Sequence, residues 1–404
     1  MSDREMVSAI IPTYNRADLL PRALDSVLGQ TRRPDQVLVV DDGSTDGTSD
    51  VLARYGDRIT VIQQANAGKS TTLNRAVSRI ETGWVWIFDD DDIAYPDAVQ
   101  TNLTALRAAP DAAFTYSART DLFTDDTGNT TATQPVDLPQ LRPDQILPAL
   151  LENCFFHLQG SLIHVDCFKL LRFREDLDRA MDYEFMIQMA RQFHGARVDQ
   201  PTYYLRRHGG LRGPAHTRFH AADMTRYWHI NEKKFFADLY TDLELREYVA
   251  AADAPDMSAI QVHSRLSRAT VMGRKGLWPF AIRDLEAVAS HLSGPDALPD
   301  ADRRQLQRLT QRDHALFELL DDRPQVTRLR RILGKICQPD ERFAIVQEMY
   351  FTMMRSTSHP HAVRRIRRVL GILYLLGWGG ATKYASIKAK RFIYNDTQGH
   401  KGPA

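Results

Sequence analysis

The sequence predicts an α/β sandwich around a mostly parallel sheet, followed by a helical C-terminal region. Three observations carry that expectation. Short β-branched runs alternate with segments of helical periodicity through the first hundred residues. Each strand-like run stops at polar or turn-forming residues. From about residue 220 the texture becomes helical throughout.

"VSAIIP" is a β-branched run ending at Pro12, and "ADLLPRALDSVLGQ" spaces Leu20, Ala23, Leu24, Val27 and Leu28 as a helix would. "QVLVVDDGSTDGT" reads as a buried strand running into turn chemistry, and "SDVLARYG" as a helix closed by Gly56. "ITVIQQ" is a third strand, "STTLNRAVSRIET" a helix and "WVWIF" a fourth strand. Strands separated by helices of this length pair in parallel and are covered on both faces. Farther on, "AAFTYSARTDLF" predicts another strand, residues 124–134 a polar loop, "FFHLQGSLIH" a strand pair and "MDYEFMIQMARQF" a helix. Residues 1–224 are expected to form the first domain, 225–340 a helical appendage and 341–404 a basic amphipathic segment.

The composition excludes several classes. A chain of 404 residues, 43% hydrophobic, can bury a core across two or three domains. A formal net charge of +1 gives no reason to expect nucleic-acid binding. Three cysteines, Cys154, Cys167 and Cys337, form neither a zinc pattern nor a disulfide framework. No apolar run has the length of a spanning helix, and the N-terminus has no signal-peptide core, so a cytoplasmic location is expected. Between Met349 and Asn395 there is no acidic residue, while Arg364, Arg365, Arg367, Arg368, Lys383, Lys388, Lys390 and Arg391 flank the apolar "VLGILYLLGW". Residues 363–392 therefore read either as a segment lying on an anionic membrane surface, at the inner face of the cell membrane, or as a core helix with solvated charges.

Chemistry concentrates at the predicted carboxyl ends of the strands, where open parallel sheets bind ligands. Strand one delivers Thr13, Tyr14 and Asn15, strand two Asp41 and Asp42, and strand four the run Asp89, Asp90, Asp91 and Asp92. Crowded carboxylates repel unless cations or hydrogen-bond donors offset them. Oxygen donors suit Mg²⁺, Mn²⁺ or Ca²⁺, but residues 89–100 lack the glycine and glutamate of a calcium loop. A cation held by few carboxylates completes its shell with water and phosphate, pointing to a phosphorylated ligand. Neither a complete P-loop nor a dinucleotide fingerprint is present.

"SAIIPTYNR", "QVLVVDDGSTDGT", "NAGKSTTLNRAV" and "WVWIFDDDDIAYPDA", in that order, resemble the successive motifs of family 2 inverting glycosyltransferases of the GT-A fold. The resemblance runs over roughly residues 7–215. It implies a nucleotide-sugar donor, usually a UDP-sugar, a glycan or lipid-linked acceptor, and Mn²⁺ or Mg²⁺. It places Pro12 and Tyr14 in the nucleotide pocket, with Thr13 between them, and Asp42 at the base; Lys69 could touch the diphosphate, and Asp90 and Asp92 could be donor-sugar contacts or helix caps. Asp89 and Asp91 become the outer residues of the D-x-D motif, Asp182 the catalytic base, and His208 a residue that approaches the metal or diphosphate. Two positions depart from the family pattern: Leu73 stands where many relatives have arginine, and Met181 where an acid is common.

The residues alone keep other readings open. Asp182 could cap a helix, Lys69 could be an exposed helix-start lysine, and His208 sits among arginines that suit a phosphate-facing loop. His157 and Gln159 could face the acceptor or form a buried polar pair. Strand-end aspartates also fit a phosphotransfer or phosphohydrolase domain, and a non-catalytic nucleotide-sugar binding module is the third reading.

Overall fold

The structure, a computed structural model, describes residues 5–81, 83–125, 129–207, 224–253, 256, 260–294, 298–355 and 367–375. The chain divides into two compact units, Met1–Asn231 and Glu232–Ala404.

The first unit opens with β1 (Val7–Thr13), α1 (Leu20–Leu28), β2 (Gln36–Asp41), α2 (Thr48–Ala53), β3 (Thr60–Gln63), α3 (Lys69–Val77) and β4 (Trp84–Ile87). β1 lies between β2 and β4 and is parallel to both, with Thr13 beside Asp41 and Ile10 beside Ile87. β3 extends the parallel set beyond β2. All seven residues of β1 are buried, which only a sheet covered on both faces allows. One face sends Val7, Ala9, Ile11, Val37 and Val39 into a core with Leu20, Ala23 and Leu24 of α1. On the other, Ile10, Leu38 and Val40 are buried too, and α3 lies against β1 through a helix that buries Leu73, Ala76 and Val77. Truncating a fully buried Leu24 to alanine in such a core costs about 2–5 kcal/mol.

The sheet continues through β5 (Ile93–Ala94), α4 (Ala98–Ala108), β6 (Phe114–Thr124), β7 (Thr130–Val136), α5 (Ile146–Glu152), β8 (Ile163–His164), α6 (Cys167–Leu170), α7 (Met181–Gln192) and β9 (Gly195–Arg207). The strand order is β3-β2-β1-β4-β8-β6-β9-β5, with β7 paired to β6. β8, β5 and β7 run against the other six strands. The expected α/β sandwich and mostly parallel sheet are present. Two local expectations are corrected. Residues 130–134, read as loop, belong to β7, whose exposed threonines carry no burial signal but pair with β6. "FFHLQGSLIH" is not a strand pair: Leu158–Gly160 form a 3₁₀ turn and only Ile163–His164 pair. A side chain at Gly160 would collide with Ser117 and Tyr203, so that turn packs tightly on β6 and β9.

From α8 (Met224–Asp242) onward the described residues are mainly helical: α9 (Arg265–Arg274), α10 (Trp278–His291), α11 (Asp300–Arg308), α12 (Asp313–Asp321), α13 (Arg323–Ile336), α14 (Pro339–Arg355) and α15 (residues 367–375). Trp278 is buried and its indole N–H donates to the carbonyl of Ala315, 2.7 Å away, tying α10 to α12. Among the described residues no helix is long and apolar enough to cross a membrane. Of the segment 363–392, only α15 is described. It buries Arg368, Ile372 and Leu375, and leaves Leu370 and Tyr374 exposed.

Candidate active site

The loops after β1 and β2 are stitched together. Asn15 adopts a left-handed backbone (φ 52°), and its N–H donates to the Ser44 hydroxyl at 2.9 Å. Its side-chain oxygen accepts the Thr45 N–H at 2.7 Å. Pro12 and Thr13 are buried at the end of β1, and Tyr14 is half-buried. Asp41 turns back to accept the Ser44 N–H. Asp42, 5% exposed, accepts the N–H groups of Ala67 and Gly68, each at 2.9 Å, and the Gln64 amide at 2.7 Å. A carboxylate has about four acceptor positions, so Asp42 retains one. Gly43 (φ 83°) lets the chain turn there, because a Cβ would meet the Asn66 nitrogen at 2.9 Å. Asp42 thus holds the loop that launches α3 and its first residue, Lys69.

The acidic run follows β4. Phe88 is buried and bonded back to Ile10, which drives Asp89 and its successors out at the sheet's carboxyl edge. Oxygens of Asp89, Asp91 and Asp92 lie within 4.8 Å of one another. Exposed Lys69 reaches across, its Nζ 2.5 Å from Asp89 Oδ1. Arg16 approaches Asp90 at 3.9 Å and Asp91 at 3.8 Å. The Gln159 amide nitrogen donates to both Asp89 (2.8 Å) and Asp92 (2.9 Å). Asp92, 1% exposed, also accepts the Arg206 backbone N–H at 2.8 Å.

These partners do not neutralise the run. Burial pushes Asp90 to about 7 despite Arg16, with Asp91 adding repulsion. Burial, then the charges of Asp91 and Asp89, push Asp92 well above the usual carboxylate range. Asp89 is raised as well, by desolvation first, against the pull of Lys69. The surrounding protein desolvates Lys69, but Asp89, Asp182 and Asp91 outweigh that and strengthen its hold on its proton.

Asp182 therefore lies within electrostatic reach of Lys69 and Asp89, although far from them in sequence. It is the second residue of α7, and its Oδ1 accepts the N–H of Tyr183 at 2.8 Å. The capping position is Ala180, held left-handed (φ 57°), which for a non-glycine residue is a local strain. His157 hydrogen-bonds the Tyr203 hydroxyl at 2.7 Å, and burial, reinforced by Arg119 and Arg207, lowers its pKa to about 3. Burial thus favours its neutral form. His208 lies outside the described residues.

Sequence reasoning gave Asp92 no metal-ligand role, whereas the structure gathers it with Asp89 and Asp91. It also missed Arg16 and the bridging role of Gln159. Arg16 had a signal, since it ends the "IPTYNR" motif at the same sheet edge. Gln159 had none, being about 70 residues from the carboxylates it joins.

A carboxylate trio with a separate acid at a helix start suits a hard divalent cation and a base kept apart from it. Oxygens that share an ion at about 2.1 Å lie about 3–4 Å apart, so the trio, within 4.8 Å of one another, would draw in to hold one. The donor set fits Mg²⁺ or Mn²⁺.

Residues 8–170 match the family described as glycosyl transferase family 2. Among curated relatives, an uncharacterised glycosyltransferase of Rickettsia prowazekii is 34% identical over 101 residues, 25% of this chain and 32% of its own length. The chondroitin synthase of Pasteurella multocida is 28% identical over 188 residues, 46% of this chain and 19% of its own. The chain thus spans a third or less of these relatives. A Staphylococcus aureus TarS structure aligns with a TM-score of 0.49 at 16% identity, covering 86% of this chain and 90% of that one. That likeness is too distant to carry an argument. Residues 8–170 thus match glycosyl transferase family 2, and the motifs in that stretch meet at the acidic sheet edge.

Proposed function

We propose that the chain is a metal-dependent inverting glycosyltransferase. It moves a sugar from a nucleotide-sugar, a UDP-sugar by motif resemblance, to a hydroxyl of a glycan or lipid-linked acceptor. The setting is cell-surface polysaccharide synthesis, with the protein peripheral at the inner face of the cell membrane through residues 363–392. One observation carries the chemical reading: Asp89, Asp91 and Asp92 are gathered, while Asp182 stands at the head of another helix within electrostatic reach of them.

Asp182 takes the proton of the acceptor hydroxyl as that oxygen attacks the anomeric carbon. The bond to the nucleoside diphosphate breaks on the opposite face, through an oxocarbenium-like transition state. A placed base of this kind contributes roughly 10²- to 10⁴-fold. Mn²⁺ or Mg²⁺ held by Asp89 and Asp91, with Asp92 and His208 beside it, would offset the charge developing on the diphosphate. Lys69 supplies a further positive charge there. Pro12, Thr13 and Tyr14 line the nucleotide pocket, Asp90 orients the donor, and Asp42 offers its remaining acceptor position to the base. The phosphotransfer reading would need an accessible nucleophile at Asp41 or Asp42, and both are buried with hydrogen bonds from their own loops.

A thermal-shift series of nucleotide-sugars with and without Mn²⁺ tests the proposal. One donor should stabilise the protein only with the metal, by about 2.7 kcal/mol at a hundred times its Kd. Asp91→Asn should erase the metal-dependent part and leave the unliganded transition in place. Donor stabilisation indifferent to chelator would refute the metal assignment.

A further inference from the structure

The helical unit carries a second charged surface, opposite in sign to the acidic edge. α13 buries Val326, Leu329, Ile332, Leu333 and Ile336 and turns Arg323, Arg331 and Lys335 outward. No acid occurs between Asp322 and Asp340. α15 is anchored beside it. Arg368 forks onto Asp321 at 3.1 and 2.7 Å and lies 4.1 Å over the Phe317 ring.

The outward positions of α15 are Arg367, Leu370 (60% exposed) and Tyr374 (39% exposed), which helical spacing puts on one stripe. That stripe adjoins the basic face. Tyr374 hydrogen-bonds Thr327 and Arg330, and the Arg330 guanidinium sits 4.3 Å from its ring centre. Nearby acids are already engaged: Asp321 by Arg368, Glu286 by Arg328 at 2.7 Å, and Asp322 in capping α13. Among the described residues Arg323 and Lys335 have no ion-pair partner, and Arg331 shares Glu286 with Arg328.

We propose that the α13–α15 face docks on anionic lipid. Arg323, Arg331 and Lys335 meet the headgroups, while Leu370 and Tyr374 sit at the level of the acyl boundary. A soluble polyanion would be met by charge alone and would give the exposed leucine and tyrosine no role. An anionic bilayer uses both, since it attracts basic residues and accepts apolar and aromatic ones at its interface. The inference extends the peripheral location proposed above to a folded surface outside most of residues 363–392. It does not depend on the chemistry at the acidic edge.

The test is co-sedimentation of the full-length chain with phosphatidylcholine vesicles, with and without phosphatidylglycerol. Attraction of about fivefold per cation predicts that Arg331→Gln/Lys335→Gln binds the anionic vesicles roughly 25-fold more weakly. Leu370→Ser should weaken them several-fold, and added salt should weaken the wild type. These side chains are exposed, so the thermal midpoint and metal-dependent donor stabilisation should stay as in the wild type. That separates failure of docking from failure of the transferase reading. Equal binding to both vesicle types, unchanged binding by Arg331→Gln/Lys335→Gln, or indifference to Leu370→Ser would overturn the proposal.

Discussion

Two buried charge clusters, one in each unit, are built on opposite balances. In the helical unit, Asp284 is fully buried and receives both arms of Arg268 at 2.7 Å, with Arg265 at 3.5 Å. Glu232 receives Lys275 and Arg312, each at 3.1 Å. Two acids meet four cations, and the strain falls on a cation. Burial, with repulsion from Arg312 and Arg274, lowers Lys275 to about 7 despite Glu232. At the sheet edge, Asp89 to Asp92 and Asp182 meet Arg16, Lys69 and Arg206. There the strain falls on the acids, whose pKa values rise. A sealed cluster with cations in excess holds helices together. An under-neutralised and partly open one is a standing vacancy for positive charge.

The largest expected effect comes from the acid that stands apart. Asp182→Asn should lower the turnover number of sugar transfer by roughly 10²- to 10⁴-fold, with donor affinity retained. Equal transfer by that variant would return Asp182 to a helix-start role. Next in size is the sealed cluster. Asp284→Ala leaves Arg268 buried without its fork and should cost about 3–5 kcal/mol in urea unfolding, with little change in donor affinity of the folded fraction.

The smallest effect distinguishes the two balances by pH. An unfolded aspartate loses its proton near about 4. Folded Asp90 keeps its proton up to about 7, so between those values the folded state binds the extra proton. Stability contributed by this group is therefore present at low pH and lost as pH rises through the window. His157 acts the other way below about 6.5, so the difference between wild type and variant is the quantity to follow. Asp90→Asn should gain of the order of 2 kcal/mol over wild type above pH 7, and the gain should shrink toward pH 4. A constant difference across that range would mean that the run is neutralised after all.

Much of the first unit was legible because its signals are local. A buried parallel strand writes itself as consecutive apolar residues, and its end as a turn, so β1 to β4 and the placement of Asp89 and Asp91 could be read directly. β5, β7 and β9 left weaker marks, since they are two residues long, exposed, or mixed in pattern. The joining of Asp92 to the cluster depends on Gln159 and on the Arg206 N–H, both distant in sequence. Asp42 was expected to face the base, yet most of its capacity holds the Ala67–Gly68 loop. Residue type reveals a carboxylate, but only the folded chain reveals who reaches it first. The same holds for α15, where Arg368 looks like surface charge and is buried on Asp321.

The shared amide of Gln159 has a consequence for how substitutions combine. One nitrogen donates to Asp89 and Asp92, and Asp92 is tied in turn to the backbone of Arg206. Neither carboxylate can shift without loosening the other's bond, so the two behave as one mechanical element. Changes at Asp89, Asp92 and Gln159 should accordingly fail to add. Whichever is altered first takes most of the loss, and the second and third cost little more.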